Sequence, residues 1–421
     1  MISLTIYNFV ISSFSFFIYI ASFFNEKAKK WIEGRVNIFE RIKSEKDKFI
    51  NRPFWFHAAS LGEFEQGRPL IEKLKQLYPD TPVLLTFFSP SGYEVRKNYE
   101  LADLVIYLPV DTKKHAAEFI FLTNPKAAFF IKYEFWHYYL NELKYRNIPV
   151  FSVSSIFRSN QLFFKPYGTF YRNILKNISL FFVQNDDSLN LLKNIGIDAV
   201  KTGDTRFDRV MTLSLQRKEL ALISRFKGSA TRLLVIGSSW DQDIEVLSPV
   251  LNNFFLNKIA LGEIKVVIAP HEISMEKITA LKKQITKEVV LYSEAQNKDL
   301  SLYDFMVIDN IGLLSSIYQY ADFAYIGGGF GKGIHNTLEA ATYGIPVFWG
   351  PKYQKFQEAH DLITLGGGFV IHNTKEFENQ FNFIATSIEA YKHAAKVNQQ
   401  YVVTNAGATD KIIEKITGYI K

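Results

Sequence analysis

A chain of 421 residues, 48% hydrophobic and 22% charged, is globular in composition and long enough for two domains of about 150–200 residues each. It contains no cysteine, which excludes disulfides, thiolate metal centres, iron–sulfur clusters and thiol nucleophiles. The formal charge of +7 suits phosphates, nucleotides or acidic lipid head groups, and no basic run interleaved with aromatics points to nucleic acid.

Residues 2–25 carry no charge, and at about 1.5 Å rise per residue such a run could span a bilayer core. Glu26, Lys27, Lys29, Lys30 and Arg35 follow at once. A secretory signal carries its cations before the apolar run and a small-residue cleavage site after it, so the reverse order here reads as a retained anchor. The positive-inside rule then assigns everything after it to the cytoplasm. Ser3, Thr5, Asn8, Ser12, Ser13 and Ser15 make the run less apolar than a dedicated span. A helix lying in the interface, or one packed into the soluble fold, therefore stands beside the spanning reading.

Beyond residue 50, short apolar runs alternate with longer amphipathic ones. Strands are predicted at 54–58, 83–86, 104–107, 127–131, 150–154 and 180–183, with helices such as 64–77 and 134–146 between them. The series restarts with strands at 233–236, 265–268, 289–291, 305–308, 323–326 and 346–348 and helices at 241–257 and 274–286. This alternation predicts an α/β fold with parallel sheets covered on both faces. The restart predicts two Rossmann-like domains that divide near 205–229. Ligands of such sheets sit at the carboxyl ends of the strands, and the active site is expected in the cleft that the two domains face.

Several strand ends carry chemistry. Ser60, Gly62 and Glu63 follow the first strand. Small residues permit a tight turn there, and Glu63 falls in the first turn of the next helix. It reads equally as a helix-start carboxylate with Ser60 as N-cap or as a general base. Ser89, Ser91 and Gly92 form a turn and helix start whose amides could meet an anion. Glu134, flanked by aromatics, is a second acid at the same sheet edge. In the second series, Ser238 and Pro270–His271 follow strands, and the run GGGFGKGIHNTLE occupies 327–339. Lys332 is not followed by Ser or Thr and no GxGxxG frame fits, so this is neither a Walker loop nor a dinucleotide fingerprint. Its glycines allow close backbone approach, Asn336 is expected to open a helix at 337–343, and Glu339 could accept hydrogen bonds from a ribose. A glycine loop, a helix with a carboxylate and then GIPV at 344–347 are characteristic of nucleotide-sugar transferases with two Rossmann domains.

Further motifs run in order along nearly the whole chain: FHAASLGE at 56–63, SPSG at 89–92, YLPVD at 107–111, KYEFW at 132–136, TGDTRFD at 202–208, GSSWDQDIE at 237–245, APHE at 269–272, DNIGLLSSIYQYAD at 309–322 and GGGFGKGIHNTLEAATYGIPVFWGP at 327–351. Together they resemble the 3-deoxy-D-manno-octulosonic acid (Kdo) transferases of lipopolysaccharide synthesis. The resemblance implies a GT-B fold: an N-terminal anchor or interfacial helix at 1–34, an acceptor-binding Rossmann-like domain at 35–215 and a CMP-sugar-binding one at 216–421, with the last helix free to pack back on the first domain. It implies inverting transfer of Kdo from CMP-Kdo to the lipid A precursor, lipid IVA, on the cytoplasmic side of the bacterial inner membrane. CMP-Kdo is a substrate, and no cofactor or metal is expected. The family's proposed base falls on Glu63 and its second acid on Glu134. Its CMP contacts fall on Pro270 and His271, on Ile311, Gly312 and Leu313, and on Asn336, Thr337, Leu338 and Glu339. Two positions depart from the pattern. Pro270 stands where the family carries Arg, so Lys332 or Lys277 is left to meet the phosphate, and Leu313 stands where Glu is common. Another GT-B enzyme acting on a UDP-sugar, or a non-catalytic membrane-bound nucleotide-binding protein, are the alternatives.

Overall fold

The computed structural model describes residues 2–216, 218–228, 232–253 and 263–420. Two compact units emerge, one formed by residues 1–209 with 406–421 and the other by residues 210–405.

The first unit is built on seven parallel strands: β1 (Phe54–Ala58), β2 (Val83–Phe87), β3 (Leu104–Tyr107), β4 (Ala127–Ile131), β5 (Val150–Ser155), β6 (Leu180–Val183) and β7 (Ala199–Lys201). Their order in the sheet is β3-β2-β1-β4-β5-β6-β7. Every residue of β1, β2 and β4 is buried, as expected of strands covered on both faces. Alternation in β1 sends Phe54 and Phe56 to one core layer with Phe64, Leu70 and Phe129, and Trp55 to the other with Phe119, Phe130 and Tyr139. Each such aromatic contributes on the order of 1.5–3 kcal/mol by leaving water. The helix Ala408–Ile416 belongs to this unit: Ile412 and Ile416 join the layer of Phe64 and Leu70. Asp208 fastens its start by accepting from the amides of Gly407 and Thr409 and from the Thr409 hydroxyl.

The N-terminal helix, Ile2–Ala21, runs along this unit. The Tyr7 hydroxyl donates to the buried Asp111 carboxylate and accepts from the His137 amide at 3.3 Å. The Tyr138 hydroxyl donates to Asn8 Oδ1 at 2.7 Å. Phe14 meets Trp31 and Phe88 edge-on and stacked, and Phe88 in turn stacks on Trp136 at 5.0 Å. Arg35 locks this corner. Its guanidinium lies 3.7 Å from the Trp31 ring centre and donates to the carbonyls of Trp31, Phe88 and Leu108.

The second unit repeats the plan: β8 (Arg232–Ser239), β9 (Ile264–Pro270), β10 (Val289–Leu291), β11 (Phe305–Val307), β12 (Phe323–Ile326), β13 (Val347–Trp349) and β14 (Gly368–Val370), ordered β10-β11-β9-β8-β12-β13-β14.

The differences from expectation lie at edges and element ends. The edge strands β7 (AVK) and β14 (GFV) were not foreseen: the first ends in an exposed Lys and the second opens with glycine, so neither stands out as an apolar run. The helix expected at 134–146 is His137–Tyr145. Lys132, with φ 61°, turns the chain out of β4, so Glu134 sits in the turn and not on a helix. The helix expected at 241–257 is seen as Asp241–Asn253, and 254–257 lie outside the described residues. The helix expected at 337–343 is the single turn Leu338–Ala341, with Thr337 and not Asn336 at its N-cap.

Candidate functional site

Each sheet has one point at which strand order reverses, between β1 and β4 in the first unit and between β8 and β12 in the second. Crevices open at the carboxyl ends of strands flanking such a point. The loops there are 59–63 and 132–136 in the first unit, and 238–243 and 327–339 in the second.

In the first unit, Ser60 is the N-cap of the helix Leu61–Leu77, and Glu63 reaches back so that its Oε2 accepts from the Ala59 amide at 2.5 Å. Glu63 also accepts from the amide of Ser60, the N-cap itself, which is half of a capping box. Burial, and then the charge of Glu134, push the Glu63 carboxyl up to about 7, and the backbone hydrogen bonds only partly offset them. Glu134 is held from two sides. Its Oε2 accepts from Trp136 Nε1 at 3.0 Å and lies 3.3 Å from His57 Nε2. His57 is fully buried, and its Nδ1 lies 2.9 Å from Thr86 Oγ1, which also accepts from Trp55 Nε1 at 2.8 Å. Two carboxylates thus stand at one switch point, one raised by the other, and the second is fixed by a buried network. His57 and Trp136 belonged to the motifs quoted above without a role. A histidine inside the all-apolar strand FWFHA was the available signal, since a buried imidazole needs partners.

The remaining loop residues of this unit have more modest parts. A Cβ on Gly92 would lie 2.3 Å from Phe87 and 3.1 Å from the Ser60 carbonyl carbon, so glycine there lets loop 89–92 close against loop 59–63. The expectation that amides of 89–92 await an anion does not hold. Ser91 N donates to Ser89 Oγ, and the Gly92 and Tyr93 amides donate to Ser89 O. At Gly62 nothing lies within 4 Å of an added Cβ, so tight turning is not what calls for glycine there.

In the second unit Asp243 joins the two switch-point loops. It is fully buried; its Oδ2 accepts from the amides of Gly328 and Trp240 at 2.7 and 2.9 Å, and its Oδ1 accepts from the Tyr325 hydroxyl at 2.9 Å. Burial raises its carboxyl above the usual range, and those donors pull it back. Gly327 donates to the Gly237 carbonyl, and a Cβ on Gly327 would come within 2.3 Å of the Ser238 carbonyl oxygen. Ser238 itself holds φ 53°, a conformation that costs a non-glycine residue on the order of 1 kcal/mol or more and tends to mark functional sites.

Above this junction three rings stack. Trp240 lies on His271 with centroids 4.5 Å apart, His271 lies 4.5 Å from His335, and Trp240 Nε1 donates to His335 Nε2 at 3.2 Å. Burial lowers both imidazoles, that of His335 to about 4, so neither is a cation near neutral pH. Positive charge here comes from Lys332, whose Nζ lies 5.0 Å over the Trp240 ring, from Lys277, paired with Asp241, and from Lys352, whose Nζ donates to the Gly331 carbonyl at 2.7 Å. Asn336 Oδ1 accepts from the Leu338 amide and its Nδ2 donates to Glu339 at 3.1 Å. Ile311 is 89% exposed, Gly312 has φ 94°, and Leu313 caps the turn Leu314–Ile317. Pro270 ends β9 and His271 follows it, and 311–313 follow β11, its neighbour. All the second-unit residues singled out in the sequence therefore lie at the carboxyl end of one sheet. Asp243, Trp240 and His335, which tie them together, were not singled out.

Residues 33–209 match the family model of 3-deoxy-D-manno-octulosonic-acid transferase (kdotransferase). A 3-deoxy-D-manno-octulosonic acid transferase of Rickettsia prowazekii is 26% identical over 80% of this chain and 73% of its own, and one of Aquifex aeolicus is 25% identical over 86% and 94%. Residues 33–209 therefore carry a Kdo transferase domain, and most of the chain is similar to Kdo transferases. That similarity supports a glycosyltransferase that transfers Kdo in lipopolysaccharide synthesis. Its fold is GT-B-like. The crystal structure of a UDP-GlcNAc 2-epimerase from Neisseria meningitidis superposes with a TM-score of 0.61 over 87% of this chain and all of that one, at 16% identity.

Proposed function

We propose that this chain is a Kdo transferase that takes Kdo from CMP-Kdo and delivers it to lipid IVA on the cytoplasmic face of the inner membrane, with inversion and with Glu63 as general base. The observation that carries this reading is the state of Glu63, a carboxyl at the switch point of the first sheet raised to about 7. A base of that strength takes a proton from a sugar hydroxyl far more readily than an ordinary carboxylate does. The acceptor oxygen attacks the anomeric carbon of Kdo from the face opposite CMP as its proton passes to Glu63. The bond from that carbon to the CMP phosphate oxygen breaks, and CMP departs with the electron pair. The transition state is oxocarbenium-like, as in glycoside chemistry generally. CMP is a good leaving group as an anion, so the proposal includes no metal and no cofactor.

The loops of the second unit are assigned to the donor: Ser238, Pro270 and His271, 311–313, Lys332, and Asn336, Thr337, Leu338 and Glu339. Support comes from their common sheet end and from Lys332 and Lys277, which supply positive charge where the neighbouring histidines do not. Ser239 Oγ and Thr337 Oγ1, in the same loops, are buried without a hydrogen-bond partner. Ser60 and Gly62 are assigned to the acceptor side beside Glu63. The test is mass spectrometry of lipid IVA incubated with purified chain and CMP-Kdo, with UDP-sugars as controls. A mass increase of one or more Kdo units with CMP-Kdo alone supports the proposal; product with a UDP-sugar, or none with either donor, refutes it.

A further inference from the structure

The N-terminal helix has two unlike faces. Leu4, Tyr7, Ile11 and Ile18, spaced by three, four and seven, are half-buried against the first unit. Ile6, Phe9, Val10, Phe16, Phe17 and Ile20 recur with the same spacing on the opposite side and are exposed, Phe9 by 71% and Phe17 by 66%. No charge interrupts this stripe over the length of the helix, whereas a protein–protein interface has a polar rim. Exposed Lys27, Lys29 and Lys30 follow its end, where anionic head groups would meet them.

Its polar ties to the globular unit lie near its start, ahead of the packing of Phe14 on Trp31 and Phe88. Tyr7 bonds to Asp111 and to the His137 amide, and Asn8 bonds to Tyr138. Asp111 is 3% exposed and also accepts from the amides of Tyr138 and Tyr139 at 3.1 Å. If the helix crossed a bilayer with Ala21 at the cytoplasmic surface, Tyr7 would sit about 21 Å deep, at 1.5 Å per residue. Asp111 and the amides it serves would have to follow it into a hydrocarbon layer about 30 Å thick, where a carboxylate and a globular surface are not tolerated. The ties and a crossing exclude each other.

We infer that helix Ile2–Ala21 lies in the plane of the bilayer surface, bound to its own globular unit on one face and buried in lipid on the other, and does not span the membrane. The inference rests on the membrane-facing part of the proposed function. The N-terminus then stays on the cytoplasmic side, and the stripe enters the lipid to the depth usual for amphipathic helices, about 5–10 Å.

The cysteine-free sequence makes a direct test possible. Ser3→Cys in the full chain, and separately Lys392→Cys as a marker of sidedness, would be probed with a membrane-impermeant maleimide in intact spheroplasts and in inside-out vesicles. Both cysteines should react at least tenfold more in inside-out vesicles. Labelling of Ser3→Cys in intact spheroplasts, with Lys392→Cys protected, would overturn the in-plane helix and leave the transferase reading untouched. Recovery of the chain in the cytosolic fraction would overturn the lipid surface and with it the membrane part of the proposed function. As a second measurement, Phe9→Asp with Phe17→Asp should cut flotation with vesicles of phosphatidylethanolamine and phosphatidylglycerol at least tenfold, and undiminished flotation would count against the stripe as the lipid face.

Discussion

Replacing Glu63 by Gln removes a charge and keeps the shape, since the amide oxygen can still accept from Ala59. Two effects of opposite sign should follow. As the proposed base is lost, transfer should fall by a factor of about 10²–10⁴. Stability should rise. The Glu63 carboxyl titrates near 7 in the folded protein and near 4.5 when exposed. Above pH 7 the folded state therefore carries an ionised group that the unfolded state accommodates more easily. This penalty is absent below about 4.5, grows as pH climbs towards 7, and is complete above it. A rise from 4.5 to about 7 corresponds to at most about 3 kcal/mol, or several degrees of melting temperature for a unit of this size. Thermal denaturation of the two proteins at pH 8 and pH 4.5, beside a transfer assay, measures both effects. A variant that is inactive, more stable at pH 8 and equal at pH 4.5 fits a base held under electrostatic strain. Near-normal turnover, or a stability difference that does not vary with pH, would refute the reasoning.

The same ionisation predicts that kcat/KM of the unaltered protein drops about tenfold between its plateau above pH 8 and pH 6. Glu134→Gln removes the second cause of the Glu63 shift, so this acid limb should move to lower pH, as a pH–rate profile would record. Trp136→Phe deletes the N–H that orients Glu134 and should lower kcat several-fold with the KM for CMP-Kdo unchanged; a rise in KM alone would contradict a positioning role. Asp243→Asn replaces one accepting oxygen by an NH2 group, which in its present orientation turns a donor toward the Gly328 and Trp240 amides in a buried site. It should destabilise the second unit by about 2–4 kcal/mol and weaken CMP binding, measured by melting with and without CMP.

The parts of the fold visible in the sequence were those that burial writes most plainly. Strands such as FWFHA and VLLTF, covered on both faces, leave continuous apolar runs, and their alternation with amphipathic stretches gave both sheets. The edge strands 199–201 and 368–370 lack that contrast: the first is part-exposed and ends in Lys201, the second opens with glycine. Glu63 and Glu134 could be assigned to one sheet edge because each follows a strand. Their mutual influence could not be foreseen, since it depends on how far the turn after Lys132 carries Glu134. Asp243 was obscured for another reason. One turn into a helix it reads as an ordinary N-terminal carboxylate, and only the packing of β12 beside β8 brings Gly328 and Tyr325 to it.

The return of Ala408–Ile416 to the first unit has a consequence for the order of folding. Asp208 and Thr409, which bond to each other, are 201 positions apart in the chain. A ribosome that has finished residues 1–209 has made the sheet of the first unit but not the residues Ile412 and Ile416 that complete one of its core layers. The intervening unit is an uninterrupted stretch and can fold as it emerges, whereas its predecessor must wait with Phe64 and Leu70 incompletely covered. Loss of the last helix should therefore expose hydrophobic surface in the unit made first, and nascent chains arrested before residue 408 should be the ones that chaperones hold.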